Sequence, residues 1–390
     1  ASGAQAGLVL GYQGNAIGTY TQSGGTNTVN NNFVIAGWQG SSKGTYSISG
    51  GILQTAGTAG PNVNRRMHFG WDNAANQGTL NVSGTAQVIT NADNAATNAD
   101  GLLLGNNGTG VLNISGGTIT VNSSGSEAEG GLSLGLNNAG KGTVNQTGGT
   151  VTVNRNYVMI GRRGTTEGKY NISGGILQTA GTSGDHRIYM GWDTAGSKGY
   201  LNLSGTAVVQ TNINNVSSSS GVFMANAGYA EMNLGDTAAL TINAVGDSQG
   251  GFSVGYANNG VAIVTQTGGT VTINDNFLIT GWKNSSKGTY NISSGVLKTS
   301  GTTAGANRRM HFGWDTVNNA GTMNMSGNAQ VIVNEMNVSG NNGFVAGNVG
   351  NATITMADTS SLTVNATNEG TFGGLTVAYN SGAGAAASFT

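Results

Sequence analysis

Residues 110–122 read GVLNISGGTITVN. Two alternating runs, VLNIS and TITVN, flank a Gly-Gly pair. Period-2 alternation sends Leu112 and Ile114 to one face and Val111, Asn113 and Ser115 to the other. β-Branched residues are frequent in both runs, as suits a pleated, half-buried surface. The two glycines punctuate the runs as a turn. The same reading turns Leu80 and Val82 inward at 79–83, and Tyr170 and Ile172 inward at 169–173. Leu201, Ile292 and Ile354 take the equivalent inward place. No stretch sustains a 3.6-residue apolar period, so no helix is expected.

Just upstream of such runs lies a short apolar run that ends in glycine. Examples are LLLG at 102–105, LSLG at 132–135, YVMIG at 157–161 and FLITG at 277–281. Apolar run, polar glycine-rich link and two alternating strands make a unit of about 30 residues. Units start near Gly7, Phe33, Met67 and Gly101 and at matching places further on, about twelve in all. Three short strands per unit suit one coil of a three-sided parallel β-helix. A set of antiparallel hairpins is the alternative, but two-residue Asn-Gly turns between the runs are not systematic. The predicted class is all-β, a β-solenoid.

A longer repeat lies over the short one. Residues 48–58 read ISGGILQTAGT, residues 172–182 read the same, and residues 292–302 read ISSGVLKTSGT. FGWD at 69–72 returns as MGWD at 190–193 and as FGWD at 312–315. The long period is about 120 residues. It divides the chain at approximately 7–130, 131–250 and 251–373, with the start of a further repeat at 374–390. The expectation is one continuous solenoid over 1–390, in which stacked units share a core.

Composition narrows the function classes. The 390 residues include 69 Gly, one Pro and no Cys, and 8% are charged with a net charge of −1. That charge fraction is far below the roughly 25% of ordinary soluble domains. Thr, Ser, Asn and Gly must therefore cover the surface. The 15 basic residues are spread out, apart from the pairs Arg65/Arg66, Arg162/Arg163 and Arg308/Arg309. A nucleic-acid partner, which needs clustered cations, is not expected. No apolar window is long enough for a transmembrane helix. Without Cys there are no disulfide staples and no thiolate metal sites. The sequence opens ASGAQAG, which reads as a mature or trimmed start rather than a signal peptide.

Residues 104–121, LGNNGTGVLNISGGTITV, carry a resemblance. The pattern resembles the repeat of type V secreted (autotransporter) passengers and of PEP-CTERM-associated surface proteins, and it extends over nearly the whole chain. The resemblance implies a right-handed β-helix, export, and display at the bacterial cell surface, outside the cell. It carries no catalytic, cofactor-binding or metal-binding residues.

The most distinctive outward group recurs with the long period. It comprises Arg66, His68, Trp71 and Asp72; then Arg187, Tyr189, Trp192 and Asp193; then Arg309, His311, Trp314 and Asp315. Alternation places Met67 and Phe69 inside and Arg66 and His68 outside. These residue types suit a contact stripe for a carbohydrate or a neighbouring chain. The plainer alternative is a corner where Trp71 covers the core and Asp72 caps a turn. Tyr189 stands where the other copies have His, which argues against a metal ligand or catalytic base. Glu127, Glu129, Asp93 and Asp100 read as solvated loop residues rather than a glycosidase pair. Outward Thr rows at Thr118/Thr120, Thr150/Thr152 and Thr270/Thr272 are interrupted by ILQT and VLKT, so they read as a solvated face.

Residues 7–11 (GLVLG) and 374–378 (GLTVA) share one phase of the repeat. Leu8, Val9, Leu10, Leu375 and Val377 are thus candidate assembly residues, since an open strand edge templates another strand. The expected function is non-enzymatic: a structural protein of a surface fibre, filament, sheath or adhesive stalk. Its first partner is itself, with surface glycans as a further partner. No cofactor is expected. A β-helical polysaccharide lyase or hydrolase, or a glycan-binding adhesin passenger, is the competing reading.

Overall fold

The computed structural model describes residues 7–58, 65–94, 100–123, 130–217, 219–245, 250–366, 373–379 and 386–390. Among the described residues the regular structure is all strand. The chain is a parallel β-solenoid. It divides into two compact units, Ala1–His186 with Gly196–Tyr200, and Arg187–Ala195 with Leu201–Thr390.

In the first unit each turn supplies three strands. One face stacks Leu8–Tyr12, Val34–Trp38, Arg65–Trp71, Asp100–Leu104, Leu132–Leu134 and Val158–Ile160, all parallel. A second face stacks Ile17–Gln22, Lys43–Ile48, Gln77–Val82, Thr109–Ile114, Lys141–Gln146 and Glu167–Ile172. The third runs from Thr26–Asn30 to Ile176–Ala180 in the same manner. Repeat sequences sit in register: Tyr46 pairs with Leu80, Leu80 with Leu112, Leu112 with Val144, and Val144 with Tyr170.

The second unit repeats the scheme. Its first face stacks Ser219–Asn226, Phe252–Ala257, Leu278–Thr280, Met310–Phe312, Phe344–Ala346 and Leu375–Val377. Its second and third faces merge in the long strands Val261–Asn274 and Lys287–Ser300, which run through the corner between them. These two pair in register over both halves, with shifts only near Thr267.

The alternation seen in the sequence fills the core. Leu80, Leu112, Tyr170, Leu201 and Ile354 are fully buried, and Ile172 and Ile292 are 1% exposed. The first face behaves differently. Val34, Ile35 and Ala36 are all fully buried, as are Leu102 and Leu104. Both sides of that face are covered, which is why its strands read as unbroken apolar runs rather than as alternation. The glycine ending each run has a steric cause. Gly37 has φ +73°, and a Cβ there would lie 2.2 Å from the Gln77 carbonyl oxygen. The chain turns at that point with its backbone against the next coil, which only glycine fits without displacement.

Candidate functional site

The first box lies on the strand Arg65–Trp71. Met67 and Phe69 are fully buried, as alternation predicts. His68 and Arg66 do point away from that core, but His68 is only 3% exposed. The expectation of a solvent-facing histidine is thus corrected. Its ring stacks on Trp71 at 4.5 Å and meets Phe33 at 5.5 Å. Trp71 in turn stacks on Trp38 at 5.4 Å with 16° between planes, and Trp38 meets Tyr12 at 5.1 Å. The register explains the column: Tyr12 pairs with Trp38 and Trp38 with Trp71. These rings form a second, outer apolar layer over the first face.

Neither ring nitrogen of His68 has a hydrogen-bond partner among the described residues. Burial, and secondarily the Arg66 charge, lower its pKa to about 3. His68 is therefore neutral near pH 7 and shielded from water. Asp72 is exposed, with φ 77°, and its carbonyl accepts from Asn107 Nδ2 at 3.2 Å. Asp193 and Asp315 adopt the same left-handed backbone, φ 69° and 66°. The aspartates thus occupy a turn position, which short polar side chains tolerate.

The second box falls in both units. His186, buried, belongs to the first, and Arg187–Ala195 to the second. In the second unit Arg187 donates to the Tyr189 hydroxyl at 3.1 Å and lies over the Phe223 ring at 4.9 Å. Tyr189 packs on Trp192 at 4.3 Å, and Trp192 stacks on Tyr256 at 5.5 Å. The third box repeats the first. His311 is 2% exposed, against Trp314 at 3.9 Å, and burial lowers its pKa well below the usual value. Arg309 donates to Asn341 Oδ1 at 3.1 Å.

Arg65 and Arg308, each the first member of a basic pair, lie inside the fold. Arg65 is fully buried and pairs with Asp100, Nε to Oδ1, at 3.2 Å. It also donates to the Gly57 carbonyl at 2.6 Å, while Asn91 donates to Asp100 Oδ2 at 3.0 Å. Asp100 is thus no solvated loop residue; it is fully buried as the partner of Arg65. In the second unit Arg308 pairs with Asp275 at 2.7 Å, with exposures of 0% and 7%. A Thr hydroxyl marks both places: Thr55 donates to the Arg65 carbonyl and Thr299 to the Arg308 carbonyl, each at 2.7 Å. The signal was available. Arg65 and Arg308 sit at an inward phase, where a charge demands a counter-charge.

Asp93 accepts from the Gly57 backbone at 2.6 Å. Glu127 and Glu129 lie outside the described residues. The Thr rows pair where expected, Thr118 with Thr150 and Thr120 with Thr152, and the next strand puts Ile176 and Gln178 in their place. Leu8 and Val9 are half-buried and Leu10 is buried, whereas Leu375 and Val377 are 52% and 41% exposed. Among the described residues no group of three or more His, Asp or Glu side chains is arranged to hold a metal ion. Comparison with known proteins adds no relative: no family model, no curated protein and no solved structure matches the chain.

Proposed function

We propose that the chain is a non-enzymatic structural repeat protein of a bacterial surface fibre, filament, sheath or adhesive stalk, built by self-association, head to tail or side by side. The observation that carries this reading is where the charge of the boxes goes. Arg65 and Asp100, and Arg308 and Asp275, neutralise one another inside the fold. His68 is buried between Phe33 and Trp71, and His311 is buried against Trp314. Such groups hold adjacent turns together, whereas catalytic acids and bases are poised near the working pH and aimed at a substrate. Export and extracellular display rest on the resemblance of residues 104–121 to autotransporter and PEP-CTERM-associated repeats. Parallel edges with identical register from turn to turn are suited to continuation by a further strand. An uneven, heterologous contact of that kind propagates instead of closing.

Negative-stain microscopy with sedimentation over a range of concentrations tests the proposal. Filaments or sheets that lengthen with concentration are expected. Discrete particles at every concentration, or cleavage of pectin- or alginate-like polymers, would overturn it; cleavage would favour the lyase or hydrolase reading.

A further inference from the structure

On the second face of the first unit, each turn from Gln77–Val82 to Lys141–Gln146 sets an Asn outward. Two residues later comes a hydroxyl: Asn81 and Ser83, Asn113 and Ser115, Asn145 and Thr147. The amides are chained along the stack. Asn81 donates to Ser47 Oγ at 3.0 Å, Asn113 to Asn81 Oδ1 at 2.9 Å, and Asn145 to Asn113 Oδ1 at 3.0 Å. An Asn amide has two N–H donors and a carbonyl with two lone pairs. The ladder uses one donor and one lone pair of Asn81 and of Asn113 and fixes the plane of both amides. The other donor and lone pair of these half-buried side chains are not used by the ladder.

These six residues line one groove of about 360 Å³, which runs along the corner after the second face. The second unit has a groove of about 350 Å³ at the same phase of the repeat, lined among others by Asn233, Asp236, Thr265 and Thr267. One groove alone would be an accident of a corner. The second groove keeps the pattern in part: Asn202 is followed by Ser204, and Asn233 donates to Asn202 Oδ1 at 2.9 Å, whereas Gly235 lacks the hydroxyl and Thr265 lacks the amide.

We propose that this groove binds an extended, uncharged polysaccharide laid along the stack of turns. The first-unit groove has no ionisable side chain in its lining, so neither an anionic nor a cationic polymer finds a counter-charge. A nucleic acid would need clustered cations. What the groove does offer, turn after turn at about 4.8 Å, is a donor and an acceptor in a fixed plane beside a hydroxyl. A sugar hydroxyl both donates and accepts, and successive sugar units of an extended chain advance by a similar step. The ladder orders the amides before binding, which lowers the entropic cost of engaging them. This inference goes beyond the structural role and does not depend on self-association.

Affinity electrophoresis of the full chain tests it, with hydroxyethyl cellulose as the neutral probe and polygalacturonate as the anionic one. Retardation by the neutral polymer is expected. Replacing Asn113 and Asn145 together by Thr, which keeps strand propensity but removes the amides, should weaken it about tenfold. The control pair Asn122→Thr with Asn154→Thr, on the third face, should leave it unchanged. Ser115→Trp, which fills the groove without touching the ladder, should also abolish retardation, so a misfolded ladder variant does not leave the question open. No retardation by the neutral polymer, stronger retardation by polygalacturonate, or equal loss in the control pair would overturn the proposal.

Discussion

Tyr170 donates its phenolic hydrogen to Gln146 Oε1 at 2.7 Å, with both side chains buried in the solenoid core. Gln146 Nε2 passes on to the carbonyls of Gly149 and Ile176, each at 3.1 Å. The arrangement recurs at Tyr46 with Gln22, at 2.5 Å, and at Tyr290 with Gln266, at 2.7 Å. The long period of the sequence thus has a core counterpart: one polar pair that recurs with it, closed on itself and on the backbone. Burial pushes all three phenols above their usual pKa, so they remain donors.

Because the network is buried, its two side chains should be energetically coupled. Tyr170→Phe leaves Gln146 Oε1 without its donor and should destabilise by about 1–3 kcal/mol. The double variant Tyr170→Phe with Gln146→Met should cost less than the sum of the single changes. Urea unfolding of the four proteins in the cycle measures this. Strict additivity would show that the two side chains are not coupled.

Asp100→Ala should be the most damaging single charge removal in the first unit. Arg65 would be left buried and unpaired, at about 3–5 kcal/mol. The contrast is Glu167, which meets Lys169 at 2.6 Å with exposures of 34% and 42%. An exposed pair of this kind contributes under about 1 kcal/mol, so Glu167→Gln should barely move the unfolding midpoint. Equal effects at both sites would mean that burial of the Arg65 pair carries no energetic consequence.

The buried histidines make stability depend on pH. In the unfolded chain a histidine titrates near 6.5, whereas folded His68 titrates near 3. Between those values the unfolded chain binds the extra proton, so stability is complete above pH 6.5 and is lost as pH falls toward 3. The slope from this one group approaches about 1.4 kcal/mol per pH unit. His68→Tyr, which copies the residue at Tyr189, should flatten the pH profile of thermal unfolding across that window. An unaltered slope would locate the acid sensitivity elsewhere.

The fold was legible because its determinants are local. Alternation at 110–122 and the glycine after each apolar run each obey a rule that needs no knowledge of the partner strand. The candidate stripe was legible as a recurring group but not as a packed layer. Whether His68 meets water depends on Phe33, in the preceding turn, and on Trp71 and Trp38, and periodicity within one strand says nothing of what covers its outer side. The same limit hid Asp100, 35 residues from Arg65. The Tyr–Gln pairs could have been found. The segments TQSGG at 21–25, NQTGG at 145–149 and TQTGG at 265–269 place a Gln at an inward phase with the long period.

Glycine substitutions separate steric need from mere flexibility. Gly37→Ala puts a Cβ 2.2 Å from the Gln77 carbonyl oxygen at φ +73°. The left-handed backbone alone costs about 1–2 kcal/mol, and the contact adds displacement of the next coil. Gly24→Ala meets nothing within 4 Å. That change should be neutral or slightly stabilising, since alanine restricts the unfolded chain. Thermal unfolding of the two variants side by side checks the pair, and similar losses in both would rule out coil-to-coil contact as the reason for Gly37.

A cavity in the core ladder should be felt locally. Leu112 is fully buried and pairs with Leu80 on one side and Val144 on the other. Leu112→Ala should cost about 2–4 kcal/mol, the removed transfer energy plus the void left behind. In a stack of turns each coil rests chiefly on its neighbours, so opening should be greatest in the coils of Leu80, Leu112 and Val144 and fade with distance along the first unit. Native-state hydrogen exchange resolved by strand reads that gradient directly. The strands Ile17–Gln22 and Glu167–Ile172 should keep most of their protection while Thr109–Ile114 loses it. Uniform loss over the unit, at the same denaturant dependence for every strand, would mean that the turns unfold as one cooperative body and that the nearest-neighbour description fails.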